Sequence, residues 1–204
     1  MVGSPSTSSG AVAALFERRV VPGRELGGQA EAVAQACHAM ARRFHRGGKL
    51  VVFGNGGAGT DAQHVAVEFV HPVIVGKRAL PAISLTADVA TLTSVANRQG
   101  LNEIFAYQIK FLAEPQDIAL GISSDGDCAN VRRGLEAAHE LGMLTIALTG
   151  GTGPGTITAD HVLRARSDDP RVVKEIHVTT YHVLWELVHV FFEQPGILAP
   201  EVAS

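Results

Sequence analysis

Residues 49–57 read Lys49-Leu50-Val51-Val52-Phe53-Gly54-Asn55-Gly56-Gly57, a short apolar run stopped by a cluster of glycines. The run is short and bounded by turn formers, which fits a strand buried on both faces. Residues 60–70 then carry a helical pattern, so the glycines stand between a strand and a helix. Four more runs have the same strand character: Ala82–Leu85, Ile118–Ile122, Met143–Leu148 and Val162–Ala165. Helical patterns alternate with them near 88–97, 102–113, 127–141 and 171–193. Strands alternating with helices through short turns predict a mainly parallel sheet covered on both faces.

Before the first strand, residues 11–20 read as a short helix and Gly28–Arg46 as a long one. Gly47 and Gly48 end the long helix. Its apolar positions Ala32, Val33, Ala36, Met40 and Phe44 recur at spacings of three and four. The last helix carries a stripe at Ile176, Thr180, Val183, Leu187 and Phe191, widened by Val173, Leu184 and Val188, which is broad enough to bury against more than one neighbour. Residues 1–10 are small and polar and are expected to be a disordered tail, with one domain over residues 11–199. No internal repeat or inter-domain linker stands out.

The 204 residues are 46% hydrophobic and suit one domain with a substantial core. Charged residues make up 18%, which fits either surface covered by other subunits or a single large core. A net charge of −3 gives no global field for nucleic acid or an anionic membrane. Cys37 and Cys128 lack CxxC spacing and read as free thiols of a reducing compartment. With no leader-like start and no apolar stretch approaching about 18 residues, a cytoplasmic location is expected.

In parallel α/β sheets, ligands sit outside the carboxyl ends of the strands. Gly54–Gly57 lies at such an end, where bare backbone N–H groups and the helix dipole favour an anion. A glycine turn made for packing alone looks the same. Ser123-Ser124-Asp125-Gly126-Asp127-Cys128 is a second loop between a strand and a helix. It suits a phosphate or plain helix capping, since Ser, Asp and Gly are what helix starts prefer. Neighbouring strand ends would set the two loops side by side.

Residues 54–68, GNGGAGTDAQHVAVE, resemble the signature of phosphoheptose isomerases within the sugar-isomerase (SIS) family. The resemblance continues through DVATLTSVANRQGLNEI at 88–104, the loop at 121–131 and Glu175-Ile176-His177, covering about residues 25–194 in order. It implies a flavodoxin-like three-layer fold with a five-stranded parallel sheet, usually assembled as a homotetramer with sites between subunits. It also implies conversion of a ketose phosphate to an aldose phosphate, or binding of such sugars.

That reaction moves a proton between adjacent carbons through an enediol, so it needs a base near carbon and a proton shuttle to oxygen. His64 and Glu68 are four apart on a predicted helix and share a face, as an ordinary surface pair also would. His182, on the last helix, is a second candidate or a core histidine. By resemblance, Glu68 and His182 are base and acid, and His64, Glu68 and His182 are ligands of zinc. Asn55, Gly56, Gly57, Asn97, Arg98, Ser123, Ser124, Asp125, Cys128 and Lys174 are then the residues expected to hold substrate. If Glu68 and His182 meet as in relatives, two subunits must contribute. His71, His161, His177 and His189 are expected to be structural or surface residues.

The chain departs from the family pattern at several of these positions. Ala58 stands where a serine usually follows GNGG, and the second loop has exchanged polar neutral residues for Asp125, Asp127 and Cys128. Like charges in a partly dry pocket repel, so an aspartate takes up a proton, a cation sits there, or the ligand lacks a phosphate. Arg98 replaces an aspartate and is expected to compensate Asp125 and Asp127. Lys174 stands in for a metal-binding glutamine; an ammonium cannot ligate while protonated. It is expected to replace the metal's charge beside Glu68, to pair with Asp125 or Asp127, or to face solvent.

Three functions follow as alternatives. One is a sugar-phosphate isomerase of the phosphoheptose isomerase type. A second is a non-catalytic SIS module that binds a carbohydrate derivative or a protein partner. A third, a dinucleotide enzyme, rests on Gly54, Gly56 and Gly59 in GxGxxG. It lacks the acidic residue expected at the end of the next strand, so no nucleotide cofactor is expected.

Overall fold

The structure, a computed structural model, describes residues 9–194 except Pro154, together with Gly196 and Leu198. Residues 1–8 of the expected tail, and the expected domain end at 199, lie outside the described residues. The elements in chain order are α1 (Ser9–Gly27), α2 (Ala30–His45), β1 (Leu50–Gly54), α3 (Gly57–Val70), β2 (Ala82–Ser84), α4 (Val89–Gln99), α5 (Ile104–Leu112), β3 (Ile118–Ser123), α6 (Ala129–Glu140), β4 (Leu144–Gly150), β5 (His161–Ala165) and α7 (Pro170–Glu193). A single 3₁₀ turn, Leu101–Glu103, joins α4 to α5.

The five strands form one parallel sheet in the order β2-β1-β3-β4-β5, with Gly54 opposite Ile122. This is the flavodoxin-like order, whose switch point lies between β1 and β3. Alternate strand residues feed two cores. Leu50, Val52, Leu120 and Ile146 pack with α2, α3 and α7, while Val51, Phe53, Ala119 and Ala147 pack with α4, α5 and α6. Burial on both faces explains why the strands read as continuous apolar runs.

The N-terminal helix corrects the sequence reading. It runs from Ser9 to Gly27 straight through Pro22, rather than over 11–20, so Ser9 and Gly10 are helical and not tail. A proline inside a helix, with glycines after it, ordinarily breaks or kinks it. The helix is instead held from outside: Arg19 grips both oxygens of Glu175 on α7, at 2.5 and 2.8 Å, and Arg18 lies 3.7 Å from Asp169. Tertiary docking overrides local propensity here. Among the described residues, no helix is long and apolar enough to cross a membrane.

Candidate active site

The first loop needs its glycines for two different reasons. A Cβ on Gly54 would stand 2.8 Å from the Ile122 carbonyl oxygen and 2.9 Å from that of Ala58, so β1, β3 and α3 can close together only around hydrogen. Gly56, which precedes α3, has φ +53° and ψ −118°, a conformation costly for any residue with a Cβ. Beyond it the α3 helix starts, and Asn55 points to the neighbouring strand end. There it exchanges two amide hydrogen bonds with Asn130 of α6, at 2.7 and 3.0 Å. The two loops therefore do sit side by side at the switch point. Asn55, Gly56, Thr60, Gln63 and Thr86 line a cleft of about 290 Å³.

The second loop spends its hydroxyl internally. Ser123 is buried, donates to Asp125 Oδ1 at 2.8 Å and accepts from the Gly126 N–H at 3.0 Å. The Asp127 N–H also donates to Asp125 Oδ1, and this bond, with that from Ser123, holds the Asp125 carboxyl below the usual aspartate range. These bonds favour the ionised carboxylate, so of the three alternatives for relieving repulsion, uptake of a proton is disfavoured at Asp125. Ser124 is exposed and lines a separate cleft of about 410 Å³ with Asp125, Asp127, Thr152 and Asp168. Cys128 precedes α6 and packs partly against the core.

Asn97 and Arg98 are exposed near the end of α4. Among the described residues Arg98 forms no ion pair, so its expected compensation of Asp125 and Asp127 is absent within the chain. Lys174 is also redirected. Its ammonium lies 2.6 Å from Asp61 Oδ1 and donates to the Gly57 carbonyl at 3.0 Å, instead of meeting Glu68 or the second loop's aspartates. Asp61 sits deep at the foot of α3 and offers the nearer carboxylate.

The remaining candidates converge. His64 Nε2 is 3.1 Å from Glu68 Oε1, and the His64 and His182 rings lie 5.3 Å apart, nearly edge to face. Tyr181 packs beside both, with its hydroxyl 2.8 Å from His64 Nδ1 and its ring 4.9 Å from that of His182. The pairs Asp61–Lys174 and His64–Tyr181 climb both helices together, so α3 and α7 run alongside in the same direction. One chain alone brings Glu68 to His182, which corrects the expectation that two subunits are required for that meeting. The Glu68 side chain is 12% exposed and that of His64 42%, so the group opens to one side. Burial, reinforced by the charges of Asp61 and Glu68, raises the Tyr181 phenol well above its ordinary value, so it acts as a hydroxyl.

Ligand atoms of His64, Glu68 and His182 all lie within 4.8 Å of one another. Two histidines and a glutamate are a known catalytic zinc donor set, which leaves one coordination position open. Zinc bonds of roughly 2.0–2.2 Å allow ligands to stand up to about 4 Å apart, so a small side-chain rotation closes the group around an ion. The donors fit. Lys174 lies two helical turns from His182, ~12 Å along the axis, and is committed elsewhere.

Three residues were missed in the sequence. Asp61 was findable, since Asp61, His64 and Glu68 fall at i, i+3 and i+7 on one helix face. Asn130 had only its place after the second loop to mark it. Tyr181 had no signal of its own, being one residue from His182 and so about 100° around the helix. His177 is buried, which lowers its pKa, and its Nε2 has no partner among the described residues. His189 is structural as expected, its nitrogens on the carbonyls of Trp185 and Arg78.

The SIS domain profile matches residues 24–150, which defines the class of fold and site. The phosphoheptose isomerase of Thermodesulfovibrio yellowstonii is 40% identical over 166 residues, 80% of this chain and 83% of that one. A phosphoheptose isomerase structure from Francisella tularensis matches with a TM-score of 0.83 at 37% identity, covering 90% of this chain and 99% of that one. One from Neisseria gonorrhoeae matches with a TM-score of 0.80 at 31% identity, covering 89% and 98%. The chain belongs to the phosphoheptose isomerase family of SIS-domain proteins.

Proposed function

We propose that this protein isomerises a ketose phosphate of the sedoheptulose 7-phosphate class to the corresponding aldose phosphate. The observation that carries the reading is the meeting of Glu68 with His182 and His64 beside the switch-point loops of a phosphoheptose isomerase family member. The Glu68 carboxylate, with Oε1 beside His64, is the base. It removes a proton from C1 of the ketose and returns it to C2, while His182 takes the proton from the C1 hydroxyl and delivers one to the C2 oxygen. The atoms balance without any other reactant. Asn55, Gly56, Gly57 and Ser124 hold the sugar, joined by Asn97, Arg98 and Lys174 at the rim. A zinc ion held by His64, Glu68 and His182 would polarise the sugar oxygens.

The protein is proposed to work as a cytoplasmic homo-oligomer, a tetramer, with the rim of each site completed by a neighbour. Exposed apolar side chains on α1 (Val12, Leu15, Phe16) and α5 (Phe111, Leu112) support the assembly. Light scattering that returned a monomer would remove it. For the reaction, the protein is incubated with sedoheptulose 7-phosphate and aldose formation is followed. Turnover well above that of Glu68→Gln is expected, and equal rates end the proposal.

A second reading, a non-catalytic module that binds a carbohydrate derivative, is favoured by one observation: the Ser123 hydroxyl is spent on Asp125. It predicts thermal stabilisation by sugars without turnover.

A further inference from the structure

Tyr181 is one residue away from a proposed acid, yet it faces a different histidine. Its hydroxyl reaches His64 Nδ1 at 2.8 Å, while the opposite ring nitrogen, Nε2, faces Glu68 at 3.1 Å. The tyrosine ring is held edge-on to His64 and tilted against His182, and the whole residue is buried. A histidine that ligates a metal keeps its hydrogen on the other nitrogen and gives it to an outer acceptor, which fixes the orientation of the ring.

We propose that Tyr181 is the outer partner of His64: its hydroxyl oxygen accepts the Nδ1 hydrogen and turns the Nε2 lone pair toward Glu68 and His182. Tyr181 is then a positioning residue for a three-ligand site of the zinc type. With the His64 hydrogen given to Tyr181 from Nδ1, a carboxylate oxygen and a bare Nε2 stand 3.1 Å apart, and that pair calls for an electropositive occupant. At bond lengths of about 2.1 Å that separation subtends an angle of roughly 95°, open enough for one four-coordinate ion. The hydroxyl can fill the role because it both donates and accepts. Lys174, engaged with Asp61, leaves the fourth position to water or substrate.

The inference rests on the proposed isomerase only for the use made of Glu68, and its test needs no substrate. Zinc affinity of the full chain is measured by competition with a chromophoric chelator. Wild type is expected to bind one zinc per chain, His64→Ala to lose it, and Tyr181→Phe to bind about tenfold more weakly. Circular dichroism is expected to be unchanged in the phenylalanine variant, which keeps the buried ring. Equal affinity in wild type and Tyr181→Phe, or no zinc bound by wild type at millimolar concentration, overturns the proposal. As a second measurement, nitrogen-15 spectra of the zinc-loaded wild type are expected to place the His64 hydrogen on Nδ1; a hydrogen on Nε2 overturns it equally. Failure of turnover with intact zinc binding would sink the isomerase reading and leave this one standing.

Discussion

Lys174 Nζ lies 2.6 Å from Asp61 Oδ1, joining the N-terminal parts of α7 and α3 across the mouth of the glycine loop. The Asp61 side chain is 7% exposed and that of Lys174 46%, so the pair is half desolvated. The contact fixes α7 beside α3 two helical turns below the point where Tyr181 and His182 approach His64.

Removing the lysine leaves a buried carboxylate without its cation. Lys174→Met is therefore expected to cost about 2 kcal/mol, between the values for exposed and buried pairs. Adding Asp61→Asn to it is expected to recover most of the loss. Urea denaturation of the two single variants and the double variant measures the coupling. Additive losses would mean that the ammonium interacts with something other than Asp61.

The second loop predicts a gain of function. Asp125→Ser with Asp127→Asn removes two carboxylates and releases the Ser123 hydroxyl from Asp125. Each charge withdrawn from the neighbourhood of a phosphate is worth more than 1 kcal/mol at an effective dielectric of about 20. KM for a sugar phosphate is expected to fall about tenfold or more, with kcat changed little. An unchanged KM would mean that the phosphate lies away from this loop.

Asp169 carries the pH prediction. It precedes α7, and hydrogen bonds from the Arg171 side chain and N–H hold its carboxyl down to about 2. Because the folded value is lowered, the contribution is complete above the unfolded value of ~3.9 and disappears as pH falls through 2. The Tm difference between wild type and Asp169→Asn is expected to be constant above about pH 5 and to shrink steadily below pH 4. A difference that held at pH 2 would assign it to the cap geometry and not to the charge.

The glycine loop distinguishes strain from crowding. Gly56→Ala meets open space but carries a positive φ, so it is expected to cost about 1–2 kcal/mol. Gly54→Ala drives a Cβ into two backbone carbonyls and is expected to cost more, with β1 and β3 shifted apart. Thermal unfolding of the pair checks the order.

Much of the fold was legible because each piece of it is a short-range pattern. All five strands and the helices after them appear within a few residues of where periodicity and glycine placed them, with α1 as the exception, since Arg18 and Arg19 hold it through contacts about 150 residues away in sequence. Within the site, the i, i+4 rule already set His64 and Glu68 on one face. The partner of Lys174 was beyond reach, because an ammonium pairs with whichever carboxylate packing presents, and Asp61 was not among the partners that the sequence suggested.

The sequence by itself determined the order of strands and helices, the glycines at the first strand's end, the i, i+4 pair and the family. These depend on residues a few positions apart, whose geometry the backbone repeats dictate. Only the tertiary structure decided that Tyr181 addresses His64, that Asn130 holds Asn55, that Ser123 is spent on Asp125 and that one chain suffices to join Glu68 to His182. Each of these turns on the rotation and offset of one element against another. Those two quantities are set by the summed packing of both cores, and no local stretch of chain encodes them.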